Sequence, residues 1–206
     1  MIRLSLLIIG ALMVCSGCVT NHKDQLKEQP VSLSSTNNQD LTKRLSDIST
    51  LGQLIDTVCR EDKLSHIVLM DHTSAISEKG WLQIQEEIIT HSKIVEHETL
   101  LSFKNANKKS ISLKNIGKLT TNYQLISARK KEFIFDKGGW GNFYKVYPER
   151  PVIAHFSNFG INKTGTQALI QVFIIYSLRR AGRSIYLLEY KDQKWVASTI
   201  FFDSIL

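Results

Sequence analysis

The last quarter of the chain alternates and runs apolar in turn. "VIAHFSNFGI", "TQALIQVFIIYSL", "SIYLLEY" and "WVASTIFF" are rich in Val, Ile, Phe, Tyr and Thr, and "NKTG", "RRAGR" and "KDQK" separate them. Apolar stretches of this kind between short Gly- or Asp-bearing turns predict a β-meander. Within the second stretch Ala168, Ile170, Val172, Ile174 and Tyr176 share one side. Leu169, Phe173 and Ile175 share the other, with Gln171 among them. A strand apolar on both sides is covered on both sides, so this one is expected at the centre of its sheet.

Upstream the period changes. Asp40 can cap a helix starting at Leu41, with Leu41, Leu45 and Ile48 on one face. Thr50 and Gln53 form a capping box ahead of Leu51, Leu54, Ile55 and Val58, and Gly52 reads as a kink or break. Residues 41–62 are therefore expected as one broken helix or two short ones. "SHIVLMD", Ser65 to Asp71, is a compact apolar run expected as a buried strand that leaves into "HTSA". Helices are expected from Ser77 to His91, on Ile84, Ile88 and Ile89, and from Glu96 to Asn105, on Leu100, Leu101 and Phe103. "YQLIS", Tyr123 to Ser127, predicts a short strand and "RKKEFIF" a charged helical turn. Helices first and strands last predict an α+β domain, with N-terminal helices packed on a C-terminal antiparallel β-meander sheet.

The first residues carry a different message. Arg3 precedes an uncharged run from Leu4 to Val14, and Ser16 and Gly17 follow. A positive start, a short apolar run and small residues form the layout of a secretory signal peptide. The run is too short for a permanent span, which needs about 20 apolar residues. Cys15 and Cys18 stand in a C-x-x-C spacing, which reads as a redox pair, half a metal site or neither. A redox pair belongs where a strand meets a helix, and a structural zinc site needs four ligands. "CSGC" resembles a bacterial lipobox, in which a small residue precedes the cysteine that is acylated and becomes the new N-terminus. Cys15 stands where Leu is usual in that pattern. The resemblance implies residues 1–17 as signal peptide, Cys18 as the lipidated residue, and the membrane as a partner through that lipid. Val19 in place of Asp resembles the outer-membrane address of two-membraned bacteria, facing the periplasm. Val19 to Gln39 is polar without an apolar period, so 18–39 reads as anchor and tether, and 40–206 as a single domain.

Composition adds little until it is resolved along the chain. The net charge of +7 is unevenly spread, with an acidic stretch, residues 49–103 at net −5, a basic one, residues 104–150 at net +8, and residues 151–206 at net +3. The acidic and basic parts read as complementary surfaces of one fold, or as a basic face toward an anionic envelope polymer or protein. An exported protein does not meet nucleic acid, so that partner is not expected. Cys59 follows Leu54, Ile55 and Val58 at helical spacing and reads as a buried small apolar residue.

Candidate chemistry is sparse. Asp71, His72 and Thr73 follow a predicted strand, and His155 and Ser157 share a face of another. A Ser, His and Asp set could be assembled from Asp71, His72, His155 and Ser157, although no G-x-S-x-G elbow is present. His91, Glu96, His97 and Glu98 cluster, yet the spacing matches no helical metal pair and H-E-x-x-H is absent, so no metal is expected. No phosphate-binding glycine motif occurs, and no cofactor is expected.

The stretch Gly138 to Phe173 contains Trp140, the pair Phe143 and Tyr144, then Tyr147 and Pro148, Ser157, Gly160, Asn162, and Ala168 and Leu169 opening a long strand. With Gly182, Trp195 and the upstream "LLSFKNANKKSISL", this resembles a family of uncharacterised bacterial exported proteins over residues 97–197. It departs at Ile161, where Phe is usual, and at Asn158, where Arg is frequent. The resemblance implies a fold and carries no activity. Trp140, Phe143, Tyr144 and Tyr147 recur at helical spacing as a packing stripe, with Trp140 and Tyr144 also readable as an aromatic platform for a sugar-like ligand. The resulting expectation is a lipid-anchored envelope protein with a binding or scaffolding role. The alternatives are a hydrolase using His72 or His155, and a binding module for an anionic or sugar-like component.

Overall fold

The computed structural model describes residues 48–91, 93–149 and 151–205. The leader, Cys18, the tether and the helix start at Asp40 and Leu41 lie outside the described residues. In chain order the elements are α1 (Ile48–Glu61), β1 (His66–Met70), α2 (Glu78–His91), α3 (His97–Ala106), β2 (Asn122–Ile126), α4 (Ala128–Asp136), α5 (Gly139–Val146), β3 (Val152–Phe156), β4 (Gly160–Ile161), β5 (Gln167–Ser177), β6 (Arg180–Lys191) and β7 (Lys194–Ile205). The strands form one sheet in the order β2-β1-β3-β5-β6-β7, with β4 paired to β5.

The fold is α+β, but its arrangement corrects the expected one. The meander is real from β5 to β7, where every pairing is antiparallel. The sheet as a whole is mixed, because β1 runs parallel to both β2 and β3. Parallel neighbours cannot be joined by a hairpin and need long crossovers. Those crossovers hold α2 to α5, so the helices are interleaved with strands rather than gathered ahead of them. β1 lies inside that sheet with Ile67, Val68 and Leu69 all buried. Such a strand needs neighbours on both edges and cover on both faces.

Two local expectations also change. "RRAGR" is not a turn: the chain reverses at Leu178 and Arg179, and Gly182 lies within β6 opposite Ile174. "VIAHFSNFGI" is two strands, broken at Ser157–Phe159. The "KDQK" turn stands as expected, with Asp192 and Gln193 both at positive φ, the twist a two-residue hairpin requires.

The core has two sides. On the first face of the sheet lie Ala168, Ile170, Val172 and Ile174, covered by Leu51, Leu54, Ile55 and Val58 of α1 and by Leu113, Ile116 and Leu119. Gly52 sits inside an unbroken α1, and a Cβ there would meet the Ile116 carbonyl at 3.1 Å. It permits close approach and does not kink the helix. The second face is covered in two patches. Trp81, Ile84, Ile88 and Phe103 of α2 and α3 lie over Leu169, Ile185, Leu187 and Phe201. Ile134, Phe143 and Tyr147 lie over Val68, Met70, Ile126 and Ile153. Between the patches the second face carries Gln171, Phe173 and His155, all only partly buried.

α3 is fastened at three points. In the middle, a Cβ on Gly160 would lie 2.1 Å from the Phe103 nitrogen and 2.2 Å from its Cα, so backbone rests on backbone. At the start, the Gln167 amide oxygen accepts from Glu96 N–H at 2.8 Å and from the Thr99 hydroxyl at 3.0 Å. At the end, Asn107 Nδ2 donates to the Phe103 and Asn158 carbonyls, and Asn158 Nδ2 donates to the Ala106 and Lys109 carbonyls. Helix ends leave unpaired backbone groups, and buried amide side chains answer several of them here.

Gly160→Ala therefore forces the α3 backbone away from β4. The expected loss is more than about 3 kcal/mol, the range of severe overpacking, seen as a collapse of the denaturation midpoint. Gly141, inside α5 with no atom within 4 Å of a built Cβ, is the matched control. Gly141→Ala should stabilise by about 0.5 kcal/mol through lost chain entropy. Equal midpoints for the two variants would contradict this account of the docking.

Candidate functional site

In parallel sheets, functional side chains gather beyond the carboxyl ends of the strands. For β1 and β3 those ends hold Asp71 to Ser74 and Ser157 to Asn158. The Asp71 carboxylate lies 2.9 Å from His72 Nδ1, and the imidazole side chain is 54% exposed. His72 faces Ser112 across an isolated antiparallel bridge. The flanking bonds, Thr73 N–H to the Ile111 carbonyl and Leu113 N–H to that of Asp71, make them a non-hydrogen-bonded pair. Side chains of such a pair stand close on one face.

The other candidates are spent on structure. The Ser157 hydroxyl donates to the Asn158 carbonyl at 2.7 Å and accepts from Gln171 N–H at 2.9 Å, at 2% exposure. The Thr73 hydroxyl donates to Asn158 Oδ1 at 2.7 Å and accepts from Ile111 N–H. His155 stands opposite Phe173 in the β3–β5 ladder, ring edge to ring face at 6.1 Å. Its Nε2 is buried without a hydrogen-bond partner. Burial, and after it the nearby Lys131 ammonium, pushes its pKa down to about 4. Asp71 and His72 thus meet each other, and among the described residues no hydrogen bond joins either of them to His155 or Ser157.

What closes this edge is a set of amides that the sequence analysis did not single out: Asn107, Asn158 and Gln167. A signal was present. Asn158 and Gln167 sit within or beside long apolar stretches, and a polar group buried there must find partners.

The remaining sequence candidates resolve into packing. Trp140 lies 5.1 Å from Phe143, 5.5 Å from Tyr144 and 5.2 Å from Phe135. Tyr147 lies 4.9 Å from Phe143. The stripe at helical spacing is an interlocked set of rings over the second face, with Trp140 and Tyr144 at its partly buried margin. Cys59 is fully buried, and desolvation pushes its pKa up to about 12, far from a reactive thiolate. Near the metal candidates, Glu98 pairs with Lys163 at 2.6 Å and Glu96 accepts from Asn162 Nδ2 at 3.0 Å. Among the described residues no group of three or more His, Cys, Asp or Glu is placed to hold a metal ion.

A groove opens at the other end of the parallel strands, at the amino ends of β1 and β2, with a volume of about 410 Å³. Its lining includes His66, Asn122, Gln124, Val146, Pro148 and Glu149. His66 Nε2 lies 3.3 Å from a Glu149 carboxylate oxygen and 3.3 Å from Asn122 Nδ2. Within the basic stretch 104–150, Lys108, Lys109, Lys114 and Lys118 are exposed along the connection after α3, and Arg129 and Lys130 on α4.

Compared with known proteins, the chain stands apart: no protein-family model, no curated protein and no solved structure matches it. Among the described residues, no helix is long and apolar enough to cross a membrane.

His155 makes stability depend on pH. Its folded-state pKa is below the ordinary 6.5, so the unfolded chain takes up a proton first as pH falls. Above pH 6.5 the effect is absent, and between 6.5 and about 4 it removes stability, by about 2 kcal/mol after allowance for the partly exposed ring. Chemical denaturation of the wild type and His155→Phe at pH 7, 5.5 and 4 should give curves that diverge toward acid, with the wild type losing more. Parallel pH dependence would remove His155 as the cause.

Proposed function

We propose that this protein is a lipid-anchored component of the bacterial cell envelope whose folded body binds a ligand or partner and does not catalyse a reaction. Anchoring is supported by the order of residues 1–18: a positive start, a short apolar run, small residues and Cys18. The tether 18–39 then separates lipid from a single α+β domain, 40–206. The absence of Asp after Cys18 favours the outer membrane, with the body in the periplasm.

One observation carries the choice of binding over catalysis. The hydroxyl of Ser157, the best-placed nucleophile on paper, is buried and bonded on both sides. An activated serine needs a free lone pair toward substrate and a base at its proton. Asn158 and Asn107 beside it serve the end of α3, and the Thr73 hydroxyl is bonded to Asn158 and Ile111. A hydrolase reading retains one support, the Asp71–His72 hydrogen bond with Ser112 opposite. A carboxylate that orients an imidazole is the first half of a triad.

Two measurements test these readings. Expressed in a bacterium that processes lipoproteins and fed an alkyne fatty acid, the wild type should carry label and sediment with membranes. Cys18→Ala should lose both, and an unlabelled or soluble wild type would end the anchoring proposal. With 4-nitrophenyl acetate, wild type, His72→Ala and Ser112→Ala should all match the background rate of buffer. A wild-type rate abolished by His72→Ala would favour the hydrolase.

A further inference from the structure

We propose that the groove between the β1–β2 floor and the α5–β3 connection is a binding site for a neutral, hydroxyl-rich ligand, a saccharide of disaccharide size. This deepens, and rests on, the reading of the body as a binding module. Register builds the floor. His66 pairs with Asn122 and Val68 with Gln124 in the parallel β1–β2 ladder. Opposite residues share a face, and so does every second residue along a strand, so these four side chains point the same way. The wall is Val146 to Glu149 and Pro151, where α5 ends and the chain turns into β3. Two prolines fix φ in that short wall, which holds its shape before any ligand arrives.

The chemistry of the lining selects the ligand. Asn122 and Gln124 each offer donors and an acceptor, and Glu149 keeps an acceptor oxygen beyond the one that meets His66, whose ring nitrogens are already paired with Ser65, Glu149 and Asn122. A hydroxyl both donates and accepts, so it can pair with every member of this set. Among the described lining residues there is no lysine or arginine, and an anionic ligand would face Glu149. An apolar ligand would strip water from four polar side chains and return no hydrogen bonds. Val146, 45% exposed, and Pro148 supply apolar surface for the C–H face of a sugar ring. The volume of about 410 Å³ lies in the range of small-molecule sites. Glycosidic cleavage by the common route needs two carboxyl groups across the bond, and among the described lining residues Glu149 is the single carboxylate. The groove is thus built to hold a saccharide and leave it intact.

The test uses the full chain in a detergent without a sugar headgroup, titrated with chitobiose, maltose and digalacturonic acid. Calorimetry gives affinity, and the side-chain amide NMR signals of Asn122 and Gln124 locate it. At least one neutral disaccharide should bind with a Kd on the order of 1 mM or tighter and move both amide signals. Digalacturonic acid should bind about tenfold more weakly. Asn122→Ala and Gln124→Ala, both at exposed positions, should each weaken binding about fivefold, the worth of one hydrogen bond, at unchanged thermal midpoint. No binding of either neutral sugar, equal binding by the variants, or tighter binding of the anion would each overturn the proposal. Mass spectrometry of the mixture separates the two readings. Released monosaccharide would refute the non-catalytic body, whereas absent binding refutes only the ligand class.

Discussion

The backbone of α3 lies so close to β4 that no side chain fits between them. Gly160 makes that contact possible, and much of the architecture follows from it. With the helix pressed on the strand, its carbonyls and N–H groups need partners that reach sideways. Asn107, Asn158 and Gln167 supply them. The same amides hold Thr73 and the start of the next connection. That connection carries the chain from the second face of the sheet, where α3 packs, to the first, where Leu113, Ile116 and Leu119 meet α1. On arrival, the Asp56 carboxylate of α1 accepts from the N–H groups of Thr120 and Thr121, just before β2 begins.

This docking has a functional consequence. The carboxyl ends of β1 and β3, where an α/β sheet usually keeps its chemistry, are filled by the helix fastening. Asn158 is polar because a helix end is buried on it, and the hydroxyls of Thr73 and Ser157 are bonded to Asn158, Ile111 and Gln171. Open space is left at the opposite ends of the same strands, beside β2, which among the described residues has no further strand beyond it. The residues there, His66, Asn122, Gln124 and Glu149, are ordinary surface types in a linear reading. Only the register of β1 with β2 gathers them.

The same docking explains neighbouring residues. "LLSFKNANKKSISL" contains most of α3 and Asn107, while Gly160 belongs to the strand it rests on. Asn162 ties its own turn, accepting from Thr166 and Gln167 N–H groups, and Gly165 closes that turn at positive φ.

Sequence alone settled the local features, because they depend on neighbours along the chain. The apolar period of β5 on both sides, the buried Cys59, the aromatic stripe of α5 and the "KDQK" turn all follow from spacing. Tertiary structure decided what depends on distant partners. Parallel pairing of β1 has no local mark, since a buried strand reads the same in either direction. Gly52 reads as a break, and nothing local marks Gly160 as a contact, because the backbone that crowds them lies elsewhere in the chain. The candidate serine lost its chemistry, and the groove acquired its polar floor, for one reason: a side chain's hydrogen bonds are assigned by whatever the fold brings beside it.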